Sequence, residues 1–190
     1  MRDILAFEGI KKRDKIIALL QIIAFRTGNE ISLENVGREL QISKNTVEKY
    51  LDLFSKVFIV YSVSGFSRNR DNEITKMKKW YFVDNGIRNA IINSFNPINK
   101  REDVGKLWEN YLNSERIKML AYKENFVSQY FWRTHTKQEI DRIEEVNEQL
   151  FAFEYKWKKD KFKIPTEFSK SYPNAIFEVI NQTNYLDFIM

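Results

Sequence analysis

Phe153-Glu154-Tyr155-Lys156-Trp157 alternates aromatic and charged residues without a break. An extended strand sorts such a series onto two faces, because successive side chains point to opposite sides of the backbone. The stretch is read as a strand that turns Phe153, Tyr155 and Trp157 into a core and presents Glu154 and Lys156 together on the other face. Upstream, Gln138-Glu139-Ile140-Asp141 leads into a polar run, and Asn147 to Gln149 reads as a hairpin turn that brings Asp141 beside Glu154. Two carboxylates and an amine then converge. Oxygen ligands for a metal and a cation for a developing oxyanion suit phosphodiester hydrolysis. The alternative for Glu154 and Lys156 is an ordinary ion pair along a strand, worth roughly 0–1 kcal/mol when exposed.

What could serve such a site is narrowed by composition. With Cys 0 and His 1, thiolate ligands, disulfides, cysteine nucleophiles and multi-histidine clusters are excluded. Any metal must sit mainly on oxygen, which favours Mg, Mn or Ca over zinc. The net charge of +5 attracts a polyanion, and Lys156, Lys158, Lys159, Lys161 and Lys163 crowd one stretch, either as a phosphate-tracking patch or as a solvated strand end. The start lacks a signal peptide's apolar core and no apolar run spans a bilayer, so the expectation is a soluble, cytoplasmic protein without a membrane partner.

The first half predicts helices. Arg13 to Phe25 is apolar on more than one side, and Gly28 ends it. Ser32 caps a helix through Leu33, Val36 and Leu40; Ser43 caps the next, from Lys44 through Val47, Tyr50, Leu51 and Phe54. The tight Gln41-Ile42-Ser43 turn between them makes a helix-turn-helix. Phe58 to Val63 and Trp80 to Val83 are strands around a polar loop, completing a winged helix, and Asp84 caps a last helix. If this domain reads DNA, Asn45 meets base edges, Lys44, Thr46 and Lys49 lie on the same recognition helix, and Arg68 and Arg70 reach from the wing. Glu48 on that helix opposes phosphate binding, and many winged helices bind protein instead.

Asn96-Pro97-Ile98-Asn99-Lys100 marks the domain boundary, giving a winged helix-turn-helix over 1–96 and a second domain over 97–190. The second domain begins with a helix from Asp103 to Tyr122 whose stripe is Leu107, Trp108, Tyr111, Leu112, Ile117 and Leu120, with Glu109 at its edge. Strands follow over Phe126 to Arg133 and through the hairpin. A short helix with Pro165 in its first position precedes a strand over Ala175 to Ile180, and Tyr185 to Met190 forms a terminal turn. Helix, strand, strand, strand, helix, strand is an α/β (α+β) order. His135 reads as a turn residue.

Taken together, Arg2-Asp3-Ile4, Asn45-Thr46-Val47 with Tyr50-Leu51, Tyr81-Phe82-Val83-Asp84-Asn85-Gly86, Gly105 with Trp108-Glu109-Asn110, Trp132-Arg133, Glu139-Ile140-Asp141 and Glu154-Tyr155-Lys156 carry a family likeness. In this order they resemble the C-terminal part of prokaryotic AAA-type P-loop ATPases, where a winged helix precedes a restriction-endonuclease-like domain. The resemblance implies a PD-(D/E)xK core, a mixed sheet flanked by helices. Catalytic positions would be Glu109, Asp141, Glu154 and Lys156, with Mg or Mn on Asp141, Glu154 and Glu109. Glu139 also matches the pattern. No G-x-x-x-x-G-K-[ST] occurs, so the ATPase is expected as a domain of the parent or of a partner chain rather than here. A metal-dependent DNA-processing module is the leading expectation; a non-enzymatic DNA-binding regulator or a structural appendage of the ATPase is the rival.

Overall fold

A computed structural model describes residues 13–67, 78–158 and 162–190. The chain divides into two units, one holding residues up to Ser62 together with Lys79–Asn96, the other Val63–Lys78 with Pro97–Met190. Among the described residues, no helix is long and apolar enough to cross a membrane.

In the first unit, α1 (Arg13–Phe25) buries Ile16, Leu19, Leu20, Ile23 and Ala24, the repeat of a helix sunk in a core. Thr27 closes it by donating its hydroxyl back to the carbonyls of Ile23 and Ala24, and Gly28 follows at φ 76°. Helix α2 (Leu33–Leu40) starts where Ser32 Oγ accepts the Asn35 amide, and α3 (Lys44–Lys56) where Ser43 Oγ accepts that of Thr46. Between them Gln41 takes the left-handed conformation at φ 53°. Both helices pack Val36, Leu40, Val47, Leu51 and Phe54 against α1, joined by Val60, Trp80 and Phe82 from strands β1 (Val60–Gly65) and β2 (Lys78–Phe82). Asp84 caps α4 (Asn85–Ile91), whose buried Arg88 donates from Nε to the carbonyl of Ala24 at 3.0 Å.

Gly37 makes the tight turn between α2 and α3 possible. A Cβ at this position would lie 2.8 Å from the carbonyl oxygen of Ile42, a backbone atom of the residue whose N–H donates to the Gly37 carbonyl at 2.9 Å. Gly37→Ala should therefore destabilise the protein despite the gain of about 1 kcal/mol in helix propensity, since overpacking costs about 1–3 kcal/mol. A urea melt showing equal or higher stability would refute the close-approach argument.

The second unit is built on strands β3 (Ser128–Arg133), β4 (Glu139–Val146), β5 (Gln149–Tyr155) and β6 (Ile176–Ile180). β4 and β5 form an antiparallel hairpin over Asn147 and Glu148, both with positive φ (50° and 67°), as a two-residue turn compatible with strand twist requires. β5 and β6 run parallel, so their connection must cross over, and it carries α6 (Thr166–Ser171). The end of β1 lies parallel to β3, Ser64 beside Tyr130 and Gly65 beside Phe131. With the end of β1, the strands of this unit follow the order β1-β3-β4-β5-β6, a mixed sheet.

Alternation sorts β5 as the aromatic–charge series requires. Leu150 and Ala152 enter a cluster with Trp132, Ile140, Ile143 and Phe168 of α6, whereas Phe153 and Tyr155 pack with Trp108 and Leu112 of α5 (Val104–Tyr122) and Phe188 of α7 (Tyr185–Ile189). Helices thus flank this sheet on both faces. The expected terminal turn is the short helix α7, and Pro165 sits one position before α6 as its cap residue. Asn110, Asn113 and Ser114 of α5 are buried although the apolar stripe did not include them.

Candidate functional site

The charged residues of β5 gather where two strands part. Pairing of β4 with β5 runs from Val146 opposite Gln149 to Arg142 opposite Phe153. Beyond that point β4 continues along β3, Ile140 facing Trp132 and Glu139 facing Arg133, while β5 continues along β6 through Tyr155 opposite Ile180. A register shift assists the parting: between Tyr130 and Trp132 the single residue Phe131 faces both Asp141 and Arg142, a bulge that bends β4. Asp141 spans the fork, its Oδ2 accepting the backbone N–H of Tyr155 at 2.8 Å. A side chain thereby replaces a ladder carbonyl.

Glu154 and Lys156 share the face that period two assigns them. Lys156 Nζ donates to Glu154 Oε1 at 2.8 Å and stands 4.8 Å from the centre of the Phe162 ring, which stacks on Phe177. Glu154 is only 6% exposed, and its second oxygen, Oε2, is buried with no hydrogen-bond partner among the described residues. Burial pushes the Glu154 carboxyl above its ordinary value; Lys156 opposes this, and the negative charges of Glu109 and Glu139 reinforce it. Those two acids are therefore within electrostatic reach of Glu154. Glu139 is paired with Arg133 at 3.4 Å.

A buried carboxylate oxygen without a donor fits a hard cation better than it fits an empty core. The fit is limited in number: among the described residues, no group of three or more His, Asp or Glu side chains is set to hold a metal ion. Asp141 reaches this part of β5 through the Tyr155 amide, and Mg commonly takes one or two carboxylates and completes its shell with water and substrate oxygens. Glu109, half-buried on α5, contributes charge to this group. His135 lies exposed in the β3–β4 turn.

On α3 of the first unit, Lys44, Asn45 and Lys49 are exposed, as is Glu48. Thr46 is half-buried and shares a 2.8 Å hydrogen bond with Ser43 Oγ, which commits its hydroxyl to the helix start. Arg68 and Arg70 lie outside the described residues, as do Lys159 and Lys161; Lys158 and Lys163 are exposed.

Several residues about the site escaped the reading of the sequence. Arg142 and Glu144 on β4 are buried and bonded to one another, Arg142 also to Asn113 of α5 and Glu144 to Arg116. A charged pair at i and i+2 on a strand signals a shared face, and nothing local says that face is covered.

Residues 1–98 match the family described as a domain of unknown function, DUF8612, and residues 104–183 match a second domain of unknown function, DUF4143. Uncharacterized proteins of Mycobacterium tuberculosis and Mycobacterium bovis are each 23% identical over 137 residues, 71% of this chain and 30% of theirs. An uncharacterized protein of Haemophilus influenzae is 23% identical over 129 residues, 65% of this chain and 29% of its own. The chain thus spans about three tenths of the length of the curated relatives it matches. No solved structure matches.

Proposed function

The chain belongs to the DUF8612 family of domains of unknown function, and from that premise we propose a DNA-binding, DNA-processing module whose second unit hydrolyses phosphodiesters with the help of Mg or Mn. The observation that carries this reading is the buried, unpartnered Oε2 of Glu154 beside Lys156, one residue from the backbone amide that Asp141 holds. The helix, three strands, helix and strand of this unit agree with the PD-(D/E)xK core that the family resemblance implies, and α2, its turn and α3 agree with a helix-turn-helix.

In this reading Glu154 and Asp141 hold the cation, with Glu109 adding negative charge around it. When bound, the metal supplies Lewis acidity to the phosphate and a more acidic water. Lys156 donates to the developing oxyanion, and the Phe162 ring limits the positions its ammonium can take. Helix α3 lies against the duplex with Lys44 and Lys49 on phosphates and Asn45 toward base edges. A P-loop ATPase domain is the partner that the resemblance implies.

Cleavage of supercoiled, linear and single-stranded DNA with Mg or Mn tests the reading. Activity present in the wild type and lost in folded Glu154→Ala and Lys156→Ala supports it; equal cleavage in all three overturns it. One observation favours the rival, non-enzymatic reading: Asp141 commits an oxygen to the Tyr155 amide and Lys156 to Glu154, so the group is already joined by hydrogen bonds. DNA binding without cleavage would select that regulator.

The DNA-binding half has its own test. Lys44→Ala with Lys49→Ala should flatten the slope of log affinity against log salt by about two, roughly one per phosphate contact. An unchanged slope, measured by fluorescence anisotropy, would remove α3 from the interface.

A further inference from the structure

The charged arm of β5 is tied to a buried relay that crosses the second unit. Tyr155 lies between Glu154 and Lys156, and its side chain points to the opposite face of the sheet. There its hydroxyl donates to Asn113 Oδ1 at 3.2 Å, and Arg142 Nη1 donates to the same oxygen at 3.1 Å. Arg142 Nε donates to Glu144 Oε1 at 2.6 Å; Arg116 grips both oxygens of Glu144, from Nε at 3.0 Å and from Nη2 at 2.8 Å. Arg116 Nη1 then donates to the Phe188 carbonyl of α7 at 2.7 Å, and its guanidinium lies 4.5 Å from the centre of the Phe188 ring.

Such a relay is an expensive way to fill a core. Three ionised groups must be desolvated, and well-packed apolar residues often do as well or better for stability. What the polar arrangement adds is direction, because each hydrogen bond fixes an angle as well as a distance. The place where direction is short is the fork. Past Phe153 the β4–β5 ladder has ended, and on that side the arm is held by Asp141 at the Tyr155 amide and by Asn113 at the Tyr155 hydroxyl.

We infer that Tyr155 is a positioning residue: its hydroxyl anchors the arm bearing Glu154 and Lys156 to the Asn113–Arg142–Glu144–Arg116 relay, and so to α5 and α7. The inference rests on the hydrolytic reading of the site for its effect on rate, but its structural part stands apart from it. Tyr155→Phe removes the hydroxyl and leaves the ring that packs on Phe188.

Two measurements on the full chain decide the matter. In Tyr155→Phe, backbone amide exchange at position 155 should quicken roughly two- to tenfold, the equivalent of one hydrogen bond, while exchange at Ala152, inside the ladder, stays unchanged. For Mg-dependent cleavage of supercoiled DNA, kcat should fall roughly 10- to 100-fold with KM unchanged, as for an outer residue that orients a site. Exchange that rises equally at both positions would show a global loss of stability and overturn the inference. So would a local rise with kcat unaltered, or no rise at all. A wild-type chain that cleaves nothing would remove the hydrolytic reading, and exchange at position 155 would still decide whether the hydroxyl holds the arm.

Discussion

Glu144→Ala is expected to cost about 3–5 kcal/mol of folding stability, a large part of the roughly 5–15 kcal/mol that a protein of ordinary stability possesses. Glu144 is 2% exposed and is the one acid bonded to both Arg116 and Arg142 in this relay; Arg142 is 1% exposed. Removing the carboxylate leaves a guanidinium that water cannot reach and that no longer has a counter-charge. The cost is mostly that exposed debt, since an ion pair removed whole would be far less missed. At about 2–4 °C per kcal/mol for a chain of this size, the thermal midpoint should fall by roughly 6–20 °C.

The pH dependence gives the same prediction a second edge. Burial pushes the Glu144 carboxyl up, but hydrogen bonds and charge from Arg116 and Arg142 outweigh burial and hold it below its usual range. A carboxyl whose folded value is depressed contributes stability above its unfolded value, about 4.3, and loses that contribution as pH falls through the folded value. The gap between wild type and Glu144→Ala should therefore be full at pH 7 and narrow below about pH 4. Urea melts at the two pH values measure it. A gap that stays constant would mean that the loss came from packing rather than charge.

Lys156→Ala carries the other large effect. If Lys156 stabilises charge that develops on phosphate, its loss should lower kcat about 10²- to 10³-fold, the typical consequence of deleting one donor aimed at a transition state, and leave the fold intact. Glu154→Gln separates chemistry from stability more sharply. The raised carboxyl of Glu154 means that its ionised form is disfavoured in the folded state, so its contribution to stability declines as pH rises through its unfolded and then its folded value. Taking the charge away should hold or raise stability at pH 7 while cleavage disappears. A variant that is less stable and still cleaves would identify the Glu154–Lys156 pair as a structural ion pair.

Local chemistry accounts for what could be read in advance. Ser32, Ser43 and Asp84 cap helices because a side-chain oxygen reaches an amide three residues on, an interaction contained within one turn. The aromatic–charge alternation of β5 sorted Phe153 and Tyr155 from Glu154, and Asn147 with Glu148 made the hairpin turn. Other features had no such signal. β1 was readable as a strand, but its parallel partner β3 lies more than sixty residues away, and parallel pairing leaves no turn to announce it.

The candidate site divides in the same way. Glu154, Lys156 and Asp141 were legible as residue types at spacings a hairpin could unite. That Asp141 spends an oxygen on the Tyr155 amide, and that Glu154 Oε2 is sealed from solvent without a donor, depends on where β4 and β5 part. Nothing local marked Arg142, Glu144 or Asn113 as buried; the two strand residues lose water only where Asn113 and Arg116 of α5 close over them.

By itself, then, the sequence determined the helices of the first unit, the hairpin and the two faces of β5, because each is set by contacts within a few residues. Tertiary structure alone decided the fork, the relay and the burial of Glu154. Those depend on which side chains from distant segments exclude water together, and a residue's solvation is a property of its surroundings rather than of its neighbours in the chain.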